Sequence, residues 1–471
     1  MIKKVMVAYD DSRKPDQEVC NITGKKSFGQ TIYKRISLKT RVQEIVKKNE
    51  HVSDFYTVKE LIANQDALLI CKNHAIFRLY SDFGITNEAE LSILFEKACY
   101  VNTTYAVECR GRVAAVIYPD FEAFQKAVFE DCFEEYAKIE TDLFLDLSKA
   151  EQFRQFITSG FDARFFNTLS GDDYTVIKKS NNIQKLKAEY TFYGLLPDDM
   201  KMWFVMPFSY EENGAEASYR MERYHMTDLA IRYVHGAISI EEFSDILQRL
   251  FHFIESRREK TVTEEEYELK AKELYIDKVR ARIEQLKQCP EYERLSQLIA
   301  SGITAGGIDE IVAEYEALYQ KIMQKKRFKP VLVIGHGDLC FSNILYNRET
   351  SLVKLIDPKG ATCEEELYTN PYYDLAKLSH SICGSYDYFN SDLFEISLND
   401  KLKLKLKVDC DNHEFKEMFY RCLQEHGIDS KLVRLYEASL FLSMLPLHID
   451  REKKVFGFIC NAVDILKELE E

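Results

Sequence analysis

Residues 331–360 read VLVIGHGDLCFSNILYNRETSLVKLIDPKG. Val331–Ile334 is a short run of β-branched residues and Leu, closed by Gly335, and reads as a strand. The polar loop Gly335–Ser342 follows. Asn343–Tyr346 and Leu352–Ile356 are two further apolar runs, joined by a polar segment containing Asn347 and Ser351, which is a hairpin signal. In an antiparallel pair the start of the first strand lies beside the end of the second. Asn343 and Asp357 are therefore expected side by side, with His336 and Asp338 in the loop just before them.

Two carboxylates and an amide at one end of a hairpin suit a hard divalent cation such as Mg2+, which takes oxygen ligands and keeps company with phosphates. The four residues 339–342 separate Asp338 from Asn343. That is the spacing of the kinase catalytic loop, H-x-D-L-x-x-x-N, in which the Asp is the base and the Asn holds a metal. Asp357 stands where a second metal carboxylate belongs, followed here by Pro358, Lys359 and Gly360 rather than by Phe-Gly. His336-Gly337-Asp338, Asn343-Ile344-Leu345 and Ile356-Asp357-Pro358 together resemble the aminoglycoside phosphotransferase and choline kinase family of small-molecule kinases. In that family, as here, Gly replaces the Arg of protein kinases. The stretches GHGDLCFSNILY, IDPKGA and YYDLAKLSHSICG are similar to phosphotransferases found with bacterial capsule biosynthesis.

The resemblance runs from Phe161 to the C-terminus. It implies ATP and Mg2+ as cofactors, Asp338 as the base, and Asn343 and Asp357 as metal ligands. It also implies that His336 and Asp374 support the loop, Asp374 by hydrogen bonds from the following helix. The alternative without chemistry is a strand–loop–strand with solvated polar ends.

Upstream, Phe165–Leu169 and Tyr174–Lys179 read as two strands about the turn Ser170–Asp173. Thr175-Val176-Ile177-Lys178 resembles the Val-x-Ile-Lys strand whose Lys reaches the ATP phosphates. Lys178 and Lys179 point to opposite faces of a strand, and Lys178 is the favoured one. Glu189, on a helix expected over Ile183–Tyr193, is its expected partner. A surface Lys–Glu pair is the bland alternative. Only Gly171 remains of a phosphate-covering loop. Trp203–Phe208 and Ala217–Arg223 read as a hairpin; the resemblance implies that Met221-Glu222-Arg223-Tyr224 is the hinge whose backbone, not its side chains, pairs with adenine, which makes Glu222 and Tyr224 cofactor-binding candidates. Thr227 is expected to cap the next helix.

From Ser239 to Lys326 the pattern is helical, with Ser239–Arg257, Thr263–Gln288 and Ile308–Gln324 as the main elements. Lys401–Lys407, KLKLKLK, reads as an exposed strand edge. Leu435–Glu470 reads as helical, broken at Pro446 with His448 and Asp450 at the break; the resemblance, in which the C-terminal helices line the acceptor pocket, implies these two as weak substrate candidates beside the plainer reading of a packed or solvated helix end.

The N-terminal part has a different pattern. Val5–Tyr9, Ala67–Cys71 and Arg112–Tyr118 read as buried strands, and Thr40–Lys48, Glu88–Ala98 and Phe121–Tyr136 as amphipathic helices. Strand–helix alternation predicts an α/β domain with a largely parallel sheet. Asp10 and Asp11 end the first strand, where open α/β sheets place ligands, but no glycine-rich phosphate loop accompanies them.

A net charge of −14 argues against a nucleic-acid or anionic-membrane surface. No apolar run approaches the ~18 residues of a membrane span, and the N-terminus lacks the apolar core of a signal peptide. Twelve scattered cysteines without a CxxC pair fit reduced thiols in a cytoplasm. Cys340, in the catalytic loop, is expected to pack rather than react.

The expected architecture is an α/β N-terminal domain (1–147) followed by a two-lobed protein-kinase-like α+β fold. Its N-lobe and hinge span 148–224, and a helix-rich C-lobe spans 225–471. The expected partners are ATP and a small hydroxyl-bearing molecule, a sugar, polyol or amino alcohol. Oligomeric state is left open. Two rival readings stand beside this one: a bifunctional protein whose N-terminal domain is nucleotidyl- or glycosyltransferase-like, and an ATP-binding pseudokinase scaffold. The missing Asp-Phe-Gly and Ala-Pro-Glu argue against a third, a protein kinase.

Overall fold

The computed structural model describes residues 3–33, 35–64, 66–129, 132–159, 167–172, 174–303, 306–399 and 403–470. The chain divides into two units, Met1–Asp162 with His235–Ala237, and Ala163–Val234 with Ile238–Glu471.

The first unit is built on a six-stranded sheet in the order Val52–Thr57, Lys4–Asp10, His74–Tyr80, Arg112–Tyr118, Tyr105–Cys109, Ala137–Glu140. The first three strands run parallel. Arg112–Tyr118 is antiparallel to both its neighbours, and the last pair is parallel again. The sheet is thus mixed rather than largely parallel. Helix Leu38–Lys47 buries Leu38, Val42 and Val46, one per turn, and Glu88–Ala98 buries Leu91, Leu94, Phe95 and Ala98.

Two expectations fail here for a physical reason. Ala67–Ile70 is a short helix, not a strand. A brief apolar run suits either state, and the strand is supplied instead by His74–Tyr80. The helix begun at Phe121 stops at Ala127, and Ala137–Glu140 joins the sheet beside Tyr105–Cys109. Helix Ala150–Ser159 falls within the first unit.

The second unit begins with a four-stranded antiparallel sheet, ordered Asn167–Gly171, Thr175–Ser180, Glu216–Glu222, Pro207–Asn213. The start of the expected strand Phe165–Leu169, and Asp173 of the expected turn, lie outside the described residues. Helix Ile183–Leu195 is capped by Asn182, whose side chain accepts from the Lys185 amide at 3.1 Å. It buries Leu186, Glu189 and Phe192, three apart, with Leu186 against Ala217 and Tyr219.

Trp203–Val205 is not part of the second hairpin. The Leu355 amide donates to the Trp203 carbonyl at 2.8 Å, and the Val205 amide to the Leu355 carbonyl at 3.2 Å. The segment therefore ties the small lobe to the hairpin of the large one, and the lobe's own strand starts at Pro207. Trp203 is buried with its ring 5.6 Å from that of Phe253. Asp228, not Thr227, caps the next helix, its Oδ1 accepting from the Ile231 amide at 2.9 Å. Thr227 and Asp228 pair instead with Tyr346 and Leu345.

The large lobe is helical around one inserted hairpin. Ile240–Ser256 is capped by Ser239. Thr263 and Glu266 form a capping box, but the helix they start gives way to a π-helical turn over Glu273–Asp277 before Lys278–Lys287. Helix Ser430–Met444 has nearly every residue from Leu432 onward buried, which makes it the axis of this lobe. Tyr436 on it stacks on Tyr275 of the π turn, ring centroids 3.6 Å apart. Leu404–Val408 pairs with Phe394–Leu398, its Lys405 and Lys407 exposed and its apolar residues turned to the core. Lys401 and Leu402 of that run lie outside the described residues. Among the described residues no helix is long and apolar enough to cross a membrane.

Candidate active site

The strand Val331–Ile334 feeds a loop whose backbone is held from behind. His336 is fully buried. Its Nδ1 accepts from the Asp338 amide at 3.1 Å, so Nε2 carries the proton and donates to the Ile356 carbonyl at 2.9 Å. Burial lowers its pKa, which keeps the imidazole neutral in this role. Asp374, near the start of helix Tyr373–Ile382, accepts from the amides of His336 at 3.0 Å and Gly337 at 2.8 Å. Arg257, also buried, pairs with the same carboxylate at 3.2 Å. Gly337 has a φ of 77°, and a Cβ there would lie 2.6 Å from the Lys359 Cβ. An Arg at this position is therefore excluded by backbone and neighbour alike.

Asp338 is 38% exposed and faces outward. Asn343 donates from Nδ2 to its carbonyl at 2.8 Å and to Oδ2 at 3.3 Å. Lys377 holds Oδ1 at 2.8 Å. Sequence reasoning missed Lys377, although it stands one helical turn after Asp374 and so shares its face. Cys340 is buried, and burial pushes its thiol up, away from the reactive thiolate.

The hairpin Ile344–Asn347 with Leu352–Leu355 pairs Ile344 with Leu355. The Ile356 amide donates to the Asn343 carbonyl at 3.0 Å, which brings Asn343 and the Asp357 segment to one end, as the pattern predicts. Asn343 and Asp357 offer an amide and a carboxylate oxygen. Among the described residues no three His, Cys, Asp or Glu side chains gather as a metal cage. Such a sparse oxygen set fits magnesium, which keeps waters and shares phosphate oxygens, and does not fit zinc.

Lys178 joins the two lobes. Its ammonium lies 2.6 Å from Glu189 Oε2 and 2.8 Å from Asp357 Oδ1. Lys178 and Glu189 are 3% and 2% exposed, so this is an interior pair, not a surface one. Burial works against the charge on Lys178, but Asp357, Tyr219 and Glu189 raise its pKa above the ordinary lysine value. Lys179 points to solvent. Tyr219, the cross-strand neighbour of Lys178, is a second residue that sequence reasoning missed.

The Asp357 loop is docked on the Glu189 helix. The Ala361 amide donates to the Ala188 carbonyl at 3.0 Å, and the Thr191 hydroxyl donates to the Ala361 carbonyl at 2.6 Å. Gly360 makes this approach feasible: its φ is +91°, and a Cβ would lie 2.7 Å from the Glu189 amide nitrogen. Gly360→Ala is expected to lower stability by about 1–3 kcal/mol in urea unfolding, with loss of turnover as Glu189 is displaced. An unchanged midpoint would mean that the helix yields without cost.

Between the lobes lies a cleft lined by Phe192, Phe204, Tyr219, Met221, Ile356 and Asp357, among others. Of the expected hinge, Met221 lines it and Glu222 and Tyr224 do not. Those two side chains bond each other instead, Tyr224 donating to Glu222 at 3.0 Å. Burial, then Glu222, pushes the Tyr224 hydroxyl up to about 12. His448 is half-buried with its ring edge-on to Phe458, and Asp450 is exposed beside Arg451. In the first unit, Asp10 is buried against Arg78 at 2.6 Å. Asp11 accepts from Ser27, Gly29 and Ser81 at 2.5, 3.0 and 2.6 Å. Both carboxylates are thus engaged by the protein itself.

No family profile and no curated protein matches this sequence. Solved structures similar to it include aminoglycoside phosphotransferase APH(4)-Ia, with 10% identity and a TM-score of 0.38 over 68% of this chain and 99% of that one. APH(3'')-Id from Streptomyces rimosus ATCC10970, in complex with ADP and streptomycin, has 17% identity and a TM-score of 0.33 over 59% of this chain and 88% of that one. Aminoglycoside-3'-phosphotransferase of type VIII has 13% identity and a TM-score of 0.34 over 59% and 94%. At such scores the likeness carries no argument of its own, and the functional reading rests on the residues gathered at the cleft.

Proposed function

We propose that this chain transfers the γ-phosphoryl group of ATP to a hydroxyl of a small molecule, a sugar, polyol or amino alcohol. The observation that carries the reading is the sharing of Lys178 between Glu189 and Asp357, at the end of the hairpin that also bears Asn343 and, beside it, Asp338. The likeness in wording to capsule-associated phosphotransferases supports an acceptor destined for a surface polysaccharide.

In this reading the acceptor oxygen bonds to the γ-phosphorus while the bond to the β,γ-bridging oxygen breaks. ADP leaves, and the hydroxyl proton passes to Asp338. Asp338 is suited to this by its outward-facing carboxylate, tethered on one oxygen by Lys377. Lys178, kept cationic by Glu189, faces the phosphates and offsets the charge that spreads onto the leaving group. Magnesium, when bound by Asn343 and Asp357, would neutralise phosphate charge. His336, Asp374 and Arg257 keep the loop in place before substrate arrives, so little reorganisation is left for the chemical step.

The deciding experiment is an ATP-consumption screen of the full chain against sugars, polyols and amino alcohols, with the Asp357→Ala variant beside the wild type. Turnover is expected to fall by on the order of 10³-fold in the variant, while circular dichroism stays that of the wild type. A folded variant with undiminished turnover would remove Asp357 from the site.

A further inference from the structure

Lys377 is a lysine in an unusual place. Lysines are rarely drawn into a protein unless paired, yet this one is 14% exposed and meets Asp338 at 2.8 Å. Burial alone would discharge it, but Asp338 and then Tyr373 keep its pKa above the ordinary value. It stands three residues after Asp374 on helix Tyr373–Ile382. One helix face thus grips the loop twice, through the backbone at His336 and Gly337 and through the side chain at Asp338.

Asp338 has two rotatable bonds and sits half out in solvent, so an untethered carboxylate would spread over several rotamers. The contacts divide its oxygens. Oδ1 meets the Lys377 ammonium at 2.8 Å, and Oδ2 accepts from the Asn343 amide at 3.3 Å.

We infer that Lys377 is a positioning residue for phosphoryl transfer: by holding Oδ1 of Asp338 it sets the orientation in which that carboxylate meets the acceptor hydroxyl. The inference rests on the kinase reading above. Lys377 acts through Asp338 and leaves ATP binding to Lys178 and its neighbours.

The test uses the full chain with magnesium and ATP, and water as the acceptor, so that no particular substrate is needed. Lys377→Met should lower kcat for ATP hydrolysis by on the order of 10–100-fold, with KM for ATP within about twofold. Lys377→Arg should recover most of the loss, because the guanidinium can still reach a carboxylate oxygen. In an Asp338→Asn background the Met substitution should cost little more, since the base that Lys377 positions is already gone. Equal losses in the two backgrounds, a loss confined to KM, or an unchanged kcat would each overturn the inference while the kinase reading stands. If Lys377→Met does not fold, Lys377→Gln and Lys377→Arg make the same comparison. A wild type that binds ATP and consumes none of it, with water or with any sugar, polyol or amino alcohol of the screen, would instead overturn the kinase reading, and the inference with it.

Discussion

Asp374→Ala is expected to cost about 3–5 kcal/mol of stability, the usual effect of breaking a buried ion pair from one side. The residue is completely buried and serves three donors: Arg257 at 3.2 Å and the amides of His336 and Gly337 at 3.0 and 2.8 Å. Alanine would leave a cation inside the lobe without its carboxylate, and two amides without their acceptor. Urea unfolding followed by circular dichroism measures the change. A companion Arg257→Met with Asp374→Leu separates two consequences. Removing both charges should regain much of the stability, yet the loop amides stay unheld, so ATP turnover should not return. Recovery of both would mean that Asp374 matters only as the counter-ion of Arg257.

Asp338→Asn should lower turnover by on the order of 10²–10⁴-fold, the usual contribution of a placed general base. Asparagine keeps the shape and an oxygen for Lys377, so the fold should persist. It loses the negative charge and nearly all basicity, so the acceptor proton has nowhere to go. The ATP dissociation constant should hardly move, because the phosphates are expected to meet Lys178, Asn343 and Asp357 instead. Isothermal titration with a non-hydrolysable ATP analogue, beside acceptor-dependent phosphorylation, distinguishes the two effects. Full turnover in the variant would leave positioning at the phosphates as the main source of rate.

These residues could be found in the sequence because each sits on a short, regular element. The spacing from Asp338 to Asn343 spans a single loop, and the antiparallel pairing of the two apolar runs that follow brings the Asp357 segment beside Asn343. The choice between Lys178 and Lys179 needed the register: Lys178 stands opposite Tyr219 and faces inward, a pairing that two polar neighbours do not reveal. The partnership of Lys377 with Asp338 joins residues 39 positions apart, across a loop and a helix start, and no local pattern encodes it. The π turn at Glu273–Asp277 escaped because its one-residue slip leaves the apolar periodicity almost intact. In the first unit Ala67–Ile70 misled because so brief an apolar run suits helix and strand alike. The hinge illustrates a different limit: a backbone role leaves no side-chain signature, and Glu222 and Tyr224 proved to face each other.

Trp203 gives the molecule a built-in reporter. It is the sole tryptophan beside 28 tyrosines, and its carbonyl is bonded to Leu355, two residues before Asp357. Emission excited at the red edge, where tyrosines do not absorb, arises from the second unit alone. A nucleotide that alters the Leu355–Asp357 segment should therefore change that emission, while far-ultraviolet ellipticity sums both units. Heating the chain and recording the two signals together would show whether the units melt as one cooperative body or in separate steps: coincident curves mean the first, and an ellipticity change without a fluorescence change the second.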